Sequence, residues 1–189
     1  MVDTRTIVQA INYILKKTGK IDKLKIVKLV YLADKMHLIL YGRTITGDSY
    51  CVMKNGPVGS TTLDILNENL EFLEDSDIEY SRKYLSKVPL DSKLYEATNV
   101  ASEYDFLSES DQTVLDRIIT LFSKKSSLSL VELTHKYPEW KQYESEFMNQ
   151  TRKHADIRVD ELFSAIENDP LGIDPAQLQC SKEIFLGRE

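Results

Sequence analysis

Cysteine, glycine, proline and tryptophan are all scarce in this 189-residue chain, and their distribution excludes several classes of protein. The two cysteines, Cys51 and Cys180, lie far apart and do not show the spacing of a metal-binding pair. The seven glycines and five prolines form no repeat, no low-complexity tract and no flexible linker. We therefore expect one globular domain over residues 1–189 that needs neither disulfides nor metal to fold.

Long hydrophobic runs are also missing. The first ten residues, MVDTRTIVQA, contain no apolar core of a signal peptide. No apolar run approaches the ~18 residues that a membrane-spanning helix needs. Two thiols without a secretory signal favour a reducing compartment, so we expect a cytoplasmic protein that does not enter a membrane.

Basic residues are outnumbered, with 24 lysines and arginines against 30 acidic residues and a net charge of −6. Non-specific binding to nucleic acid requires a basic face, so this balance argues against it. A mild acidic excess suits a basic protein partner, although it also serves solubility alone. The apolar content of 42% and the charged content of 29% are those of an ordinary globular protein.

Two helices open the chain. The first is predicted from Asp3, as N-cap, to about Lys17, with Gly19 just beyond its end. Asp22 is predicted to cap a second helix that runs to about Tyr41 and ends at Gly42. Apolar residues cover much of the circumference of this second helix, which is typical of a central, largely buried helix. Its lysines fall together on the opposite side: Lys25, Lys28 and Lys35.

Residues 42–58 interrupt the helical period. β-Branched residues and the run Tyr50–Met53 predict a short extended piece, and Asn55-Gly56 predicts a turn. The predicted fold is therefore mainly α, a single compact helical domain with a central buried helix and a short, hairpin-like insertion near 42–58.

The rest of the chain predicts further helices and one strand. After the insertion come a helix over 60–71 capped by Ser60, a strand over 94–100 and a helix starting at Ser108. They are followed by a helix through His135 with a Ser129–Glu132 capping box, a short turn at 138–140, a helix near 160–168 and a last helix opening at Asp174-Pro175.

Asp34 is the most informative single residue, because a carboxylate on an apolar helix face is costly to bury without partners. It is either a tuned acid or binding anchor, or a structural group that holds the 42–58 loop. In the structural case its hydrogen bonds come from Arg43, from a tyrosine hydroxyl or from loop amides. We favour the structural role and expect a buried pair between Asp34 and Arg43, since Gly42 allows the chain to reverse.

Catalytic and metal sites have little support in the sequence. Cys51, His37 and Asp34 contain the residue types of a cysteine hydrolase, but helical spacing alone explains why His37 follows Asp34. The three histidines show no metal-ligand spacing. Residues 56–60, GPVGS, resemble a phosphate loop only superficially, because the lysine is missing and Pro57 lacks an amide hydrogen. We predict no catalytic residue, no metal and no cofactor.

Three motifs resemble those of a known family. Tyr31-Leu32-Ala33-Asp34 matches a Tyr-x-Ala-Asp signature, residues 41–48 (YGRTITGD) match a Tyr-Gly-Arg-x-Ile-Thr-Gly-Asp loop, and Gly56-Pro57-Val58 matches a Gly-Pro-Val turn. With them the chain resembles, over most of its length, the Panacea-domain antitoxins, which are relatives of the SocA antitoxin. Thr44 stands where proline is common, and Cys51 where a small or β-branched residue is usual.

The resemblance implies a mostly α-helical domain that neutralises a protein toxin by direct contact. The toxin is usually encoded by the adjacent gene, in a bacterial, phage or prophage genome. Some members resemble adaptors that present the toxin to a protease, so that alternative stays open, as do a cysteine hydrolase and a DNA-binding autorepressor. The predicted protein is not an enzyme, binds no nucleic acid, and forms either a homo-oligomer or a hetero-complex with the toxin.

The candidate residues for partner binding or for the core of the motifs were chosen from the motif segments and from the aromatic residues. Tyr31, Tyr41 and Tyr50 cluster near the helix–loop junction, and tyrosine and tryptophan are enriched at protein interfaces. Each ring is equally suited to covering a core. The full set is Tyr31, Asp34, Tyr41, Arg43, Tyr50, Lys54, Asn55, Gly56, Pro57 and Trp140.

Overall fold

The computed structural model describes residues 3–69, 71–89 and 91–187. Helices account for 54% of the structure and strands for 14%, which confirms the predicted mainly α class. None of the helices in those ranges is both long and apolar enough to cross a membrane. The helices are α1 (Thr4–Thr18), α2 (Lys23–Tyr41), α3 (Ser60–Asn67), α4 (Asp75–Tyr84), α5 (Glu109–Phe122), α6 (Ser127–Thr134), α7 (Pro138–Lys141), α8 (Glu144–Met148) and α9 (Pro175–Leu186).

Helix α2 lies at the centre of the molecule, where it contacts α1, α3, α5, α6, α9 and strand β3 (Gly56–Gly59). Every residue from 25 to 39 is buried. The Asp22 side chain accepts a hydrogen bond from the Lys25 amide at the start of the helix. Gly42 ends it in the left-handed conformation, with φ 74°, and its amide donates to the Leu38 carbonyl.

The insertion after α2 forms a β-hairpin. Strands β2 (Tyr50–Met53) and β3 are antiparallel, with Met53 opposite Gly56 across the turn at 54–55. Strand β6 (His154–Ile157) pairs with the other edge of β2, which gives the sheet order β3-β2-β6. The sequence predicted the turn but not β6, which joins the hairpin from about a hundred residues away along the chain.

A second small sheet packs against α1. Its order is β1-β5-β4, in which β5 (Asp91–Ala97) pairs antiparallel with both neighbours. The predicted strand over 94–100 overlaps β5 but begins three residues too late. The outer strands of this sheet are β1 (Ile21–Asp22) and β4 (Leu85–Val88).

The predicted caps of α1, α5 and α9 were correct. Asp3 and Gly19 flank α1, the Ser108 hydroxyl accepts from the Asp111 amide at the start of α5, and Asp174 caps α9. Pro138 opens α7, as predicted for the short turn at 138–140.

Three other boundaries were wrong. Ser60 is the first residue of α3 rather than its cap, because the carboxylate of Asp48 accepts the first-turn amide hydrogens instead. Helix α6 is capped by Ser126, not by Ser129. The predicted helix near 160–168 is a short 3₁₀ turn, Val159–Leu162, after which the chain turns inward and places the Leu162 carbonyl and the Ser164 hydroxyl on Lys35.

Candidate functional site

The Asp34 carboxylate holds the loop that follows α2. One oxygen accepts hydrogen bonds from the amides of Ile45, at 2.8 Å, and Thr46, at 2.9 Å. The other accepts from the Thr46 hydroxyl at 2.6 Å. Asp34 is 1% exposed, and burial raises its pKa to about 6, against the opposing effect of the Thr46 hydrogen bonds. The sequence left three kinds of hydrogen-bond donor open for Asp34, and of these the structure provides the loop amides.

The expected pair between Asp34 and Arg43 was wrong. The Arg43 guanidinium points to Asp111 on α5, with 2.8 Å between Nη2 and Oδ1, and it also donates to Ser108. Half of the Arg43 side chain stays in solvent in this position, at 49% exposure, whereas a guanidinium beside Asp34 would lose its hydration. The loop amides already satisfy Asp34, so no cation is needed there.

Asp111 is the centre of a polar network that the sequence did not predict. Its Oδ1 atom lies 3.0 Å from Nε2 of the buried His37, whose Nδ1 lies 2.8 Å from the Arg43 carbonyl oxygen. Burial alone would raise the pKa of Asp111, but hydrogen bonds from His37 and Ser108 and the charge of Arg43 lower it to about 2. The network therefore joins the loop after α2 to the start of α5.

Cys51, His37 and Asp34 do not meet. The ring nitrogens of His37 contact Arg43, Ser110 and Asp111, and the Asp34 carboxylate is occupied by the loop. The Cys51 thiol lies 3.7 Å from the Ser60 hydroxyl, and burial raises its pKa, which disfavours the nucleophilic thiolate. Among the residues that the structure describes, no group of three or more His, Cys, Asp or Glu side chains is placed to hold a metal ion.

Asp48 connects the same loop to α3. Its carboxylate accepts from the amides of Ser49, Thr61 and Thr62 and from the Thr62 hydroxyl, at 2.8–2.9 Å. A Cβ atom on Gly59 would lie 2.3 Å from Asp48 Oδ2, so a glycine is needed for this close approach. Asp48 belongs to the family motif, but the sequence assigned it no role, because the two strands of the hairpin separate it from the helix that it caps.

The inner side of the hairpin rests on two buried side chains. The Trp140 indole donates to the Met53 carbonyl at 2.8 Å and stacks on the His135 ring at 3.5 Å. The Lys28 ammonium donates to the Pro57 carbonyl at 2.6 Å. Trp140 is 1% exposed, so it fixes the hairpin from inside the protein and does not reach the surface.

A buried ion pair lies beside Trp140. The Lys35 ammonium contacts the Glu139 carboxylate at 2.8 Å and also donates to Leu162 and Ser164. The Tyr31 hydroxyl donates to the same carboxylate.

The periodicity of α2 placed its three lysines together on the side opposite the apolar face. All three are buried, with 8% exposure for Lys25 and 0% for Lys28 and Lys35. Each ammonium instead finds an acceptor on a distant segment: Ser123 for Lys25, Pro57 for Lys28 and Glu139 for Lys35.

We expect Lys28→Met to remove a pH dependence of stability. Burial lowers the pKa of Lys28 from 10.5 to about 7, so between these values the unfolded chain binds more protons than the folded one. The free energy of unfolding of the wild type should therefore rise with pH by up to about 1.4 kcal/mol per unit from this group. Urea unfolding of both proteins between about pH 7 and 9.5 measures the effect. The stability of Lys28→Met relative to wild type should fall steadily across this range, and a constant difference would contradict the prediction.

The predicted site residues do not form one surface. Tyr31, Asp34, Tyr50, Gly56, Pro57 and Trp140 are buried. The rings of Tyr31 and Tyr50 meet edge to face, with 6.4 Å between their centres. Among the described residues, the Tyr50 hydroxyl has no hydrogen-bond partner at normal distance. Burial, and to a smaller extent the nearby charge of Asp34, raises the pKa of Tyr50. Tyr41 packs on His37 and is 51% exposed. Lys54 and Asn55 are exposed at the hairpin turn.

The exposed turn borders a cavity of about 320 Å³ between α2, α3 and the hairpin. We call it the hairpin groove. Its floor consists of the apolar side chains Val27, Met53, Val58 and Leu63, and its rim carries Lys23, Lys54 and Lys153. Lys54, Asn55 and Gly56 of the predicted site line this groove.

Comparison with known proteins identifies a family. A family model described as "Antitoxin SocA-like, Panacea domain" matches residues 26–141, which span α2 to α7 and include the Asp34 loop, the hairpin and Trp140. No curated protein matches the chain, and no solved structure does.

Proposed function

Because the chain belongs to the Panacea-domain family of SocA-like antitoxins, we propose that it neutralises a protein toxin by binding it directly. The family match over residues 26–141 carries this proposal, since it covers more than half of the chain and the family implies a toxin partner. The toxin is expected to be the product of the adjacent bacterial or phage gene. We further propose that residues 1–189 act as one domain in the cytoplasm, without a cofactor, a catalytic site or bound nucleic acid.

The proposed role of the buried motif residues is to hold a binding surface in place. Asp34 fixes the loop, Asp48 joins it to α3, and Trp140 and Lys28 hold the hairpin. A surface that is rigid before binding loses less conformational entropy when a partner docks. In this proposal the toxin contacts the exposed hairpin turn at Lys54 and Asn55, and Tyr31, Asp34, Gly56, Pro57 and Trp140 act indirectly.

Co-expression with the product of the adjacent gene tests the proposal. We expect the antitoxin to restore growth of cells that express the toxin and to copurify with it. If neutralisation is by blocking, the amount of toxin in the cell stays constant while toxicity disappears. If the protein is a proteolytic adaptor, the toxin disappears in cells with an active protease and persists in protease-deficient cells. Failure of the pair both to copurify and to restore growth would refute the proposal.

A further inference from the structure

The hairpin groove has the dimensions of a site for a side chain. Its volume of about 320 Å³ is at the small end of the roughly 300–1,000 Å³ range of ligand cavities. Val27 and Val58 are buried at its base, and Met53 and Leu63 are only partly buried, so apolar surface faces the opening. A bulky apolar side chain placed there would leave water and contact several partners.

The rim of the groove is positive, although the chain as a whole carries a net charge of −6. Lys23, Lys54 and Lys153 line it, and no carboxylate does among the residues that the structure describes. Lys23 donates to the neutral side chain of Asn67 at 2.6 Å. In the described ranges none of the three lysines forms a salt bridge; by contrast, the neighbouring Arg152 pairs with Glu146 at 2.5 Å. Unneutralised like charges around a low-dielectric floor attract anionic groups.

The groove is held open by groups that do not face it. The Trp140 indole holds the Met53 carbonyl, and the Lys28 ammonium holds the Pro57 carbonyl on the other strand. Gly56 has φ +99°, and a Cβ atom there would lie 2.7 Å from both the Lys28 ammonium and the Thr134 hydroxyl. A residue with a Cβ atom therefore does not fit at this position unless Lys28 or Thr134 moves, and the glycine keeps the turn against these two side chains.

We propose that the hairpin groove binds an acidic segment of the toxin, which places one bulky apolar side chain on the floor and carboxylates against the rim lysines. This inference rests on the proposed antitoxin function and adds the chemistry of the partner. Charge complementarity favours an acidic occupant, and the apolar floor favours a protein segment over the phosphate backbone of a nucleic acid.

A larger cavity, of about 630 Å³ between the hairpin and α9, fits this role less well. It is lined by Asp156 and Asp160 together with Arg158, and by Asp48, whose oxygens are already used to cap α3. The one guanidinium on its lining, Arg158, already pairs with Asp160, so an acidic segment would meet mainly carboxylates there.

Charge reversal at the rim tests the inference. The double variant Lys54→Glu, Lys153→Glu should bind the product of the adjacent gene about 10- to 100-fold more weakly than wild type. This loss of affinity should be larger at low salt than at high salt. The matched control Lys93→Glu, Lys124→Glu changes the net charge equally at two exposed lysines that do not line the groove. It should keep the affinity within about threefold, because distant charges are screened. Melting temperatures of both variants show whether each is folded.

Two further measurements address the floor and the identity of the segment. Leu63→Gln should weaken binding about tenfold at low and high salt alike, because it removes apolar contact rather than charge. Carbodiimide cross-linking joins an ammonium directly to a carboxylate. In the wild-type complex it should connect Lys54 or Lys153 to an Asp or Glu of the toxin that lies next to a large apolar residue.

The outcomes separate the two proposals. If wild type and the rim variant bind the toxin equally well, the groove inference is overturned and the antitoxin function stands. If wild type does not bind the toxin at all, both fail. Rim reversal that abolishes binding only to nucleic acid overturns the inference in favour of a phosphate ligand. If charge reversal changes only the oligomeric state, the inference is overturned, and the groove binds a second copy of this chain. The occupant would then be Phe72 of that copy, which is 71% exposed and lies beside Glu71 and Glu74.

Discussion

Glu139→Ala should lower the free energy of unfolding by about 3–5 kcal/mol, because it leaves the Lys35 ammonium buried without its counter-ion. Glu139 and Lys35 are both completely buried at the side chain, 2.8 Å apart. The Glu139 carboxylate also accepts hydrogen bonds from Tyr31 and Ser164. One substitution therefore removes a contact from α2, from α7 and from the segment after the 3₁₀ turn. Urea unfolding at neutral pH measures the loss.

An exposed ion pair provides the matched control. Lys141 and Glu144 lie 2.7 Å apart with 60% and 38% of their side chains exposed, so Glu144→Ala should cost less than about 1 kcal/mol. The double variant Lys35→Met, Glu139→Met should recover much of the stability that Glu139→Ala loses, because it removes both charges. If Glu139→Ala and Glu144→Ala cost the same, the buried pair does not contribute as its geometry indicates.

Asp34→Ala should lower the free energy of unfolding by about 3 kcal/mol or more. It leaves the Ile45 and Thr46 amides and the Thr46 hydroxyl without their acceptor in the interior, and each buried unsatisfied donor costs roughly 1–3 kcal/mol. Hydrogen exchange at the Ile45 and Thr46 amides should accelerate in the same variant. Thermal unfolding and toxin affinity, measured on one preparation, distinguish a structural role from direct contact.

Arg43→Ala is the comparison within the same loop. Its guanidinium is half exposed and bonds to Asp111, which keeps His37 and Ser108 as partners, so this variant should cost about 1 kcal/mol or less. Had Asp34 and Arg43 formed a buried pair, the two substitutions would have similar costs. An Asp34→Ala protein with an unchanged melting temperature and lost toxin binding would place Asp34 in the binding surface instead.

The sequence located the motif segments, but it did not predict the contacts that their side chains make. The motif residues mark the loop and hairpin that the structure builds beside α2, and their family resemblance is confirmed by the match over residues 26–141. Their partners were not predictable. Glu139 was read only as part of a short turn, and Lys35 only as part of a polar side of the helix. Their 104-residue separation leaves no local signal that they meet.

The sequence by itself determined the features that arise within one or two turns of the chain. Asp22 and Gly42 define the ends of α2, Ser108 and Asp111 begin α5, and the Asn55-Gly56 turn reverses the hairpin, because caps and turns are satisfied by neighbouring atoms. Only the tertiary structure decided which charge meets which. Arg43 bonds to Asp111, 68 residues away, and not to Asp34. Asp34 instead accepts hydrogen bonds from the amides of Ile45 and Thr46, eleven and twelve residues further along the chain. A buried polar group must find partners wherever the packed chain provides them, and periodicity contains no information about segments that pack from afar.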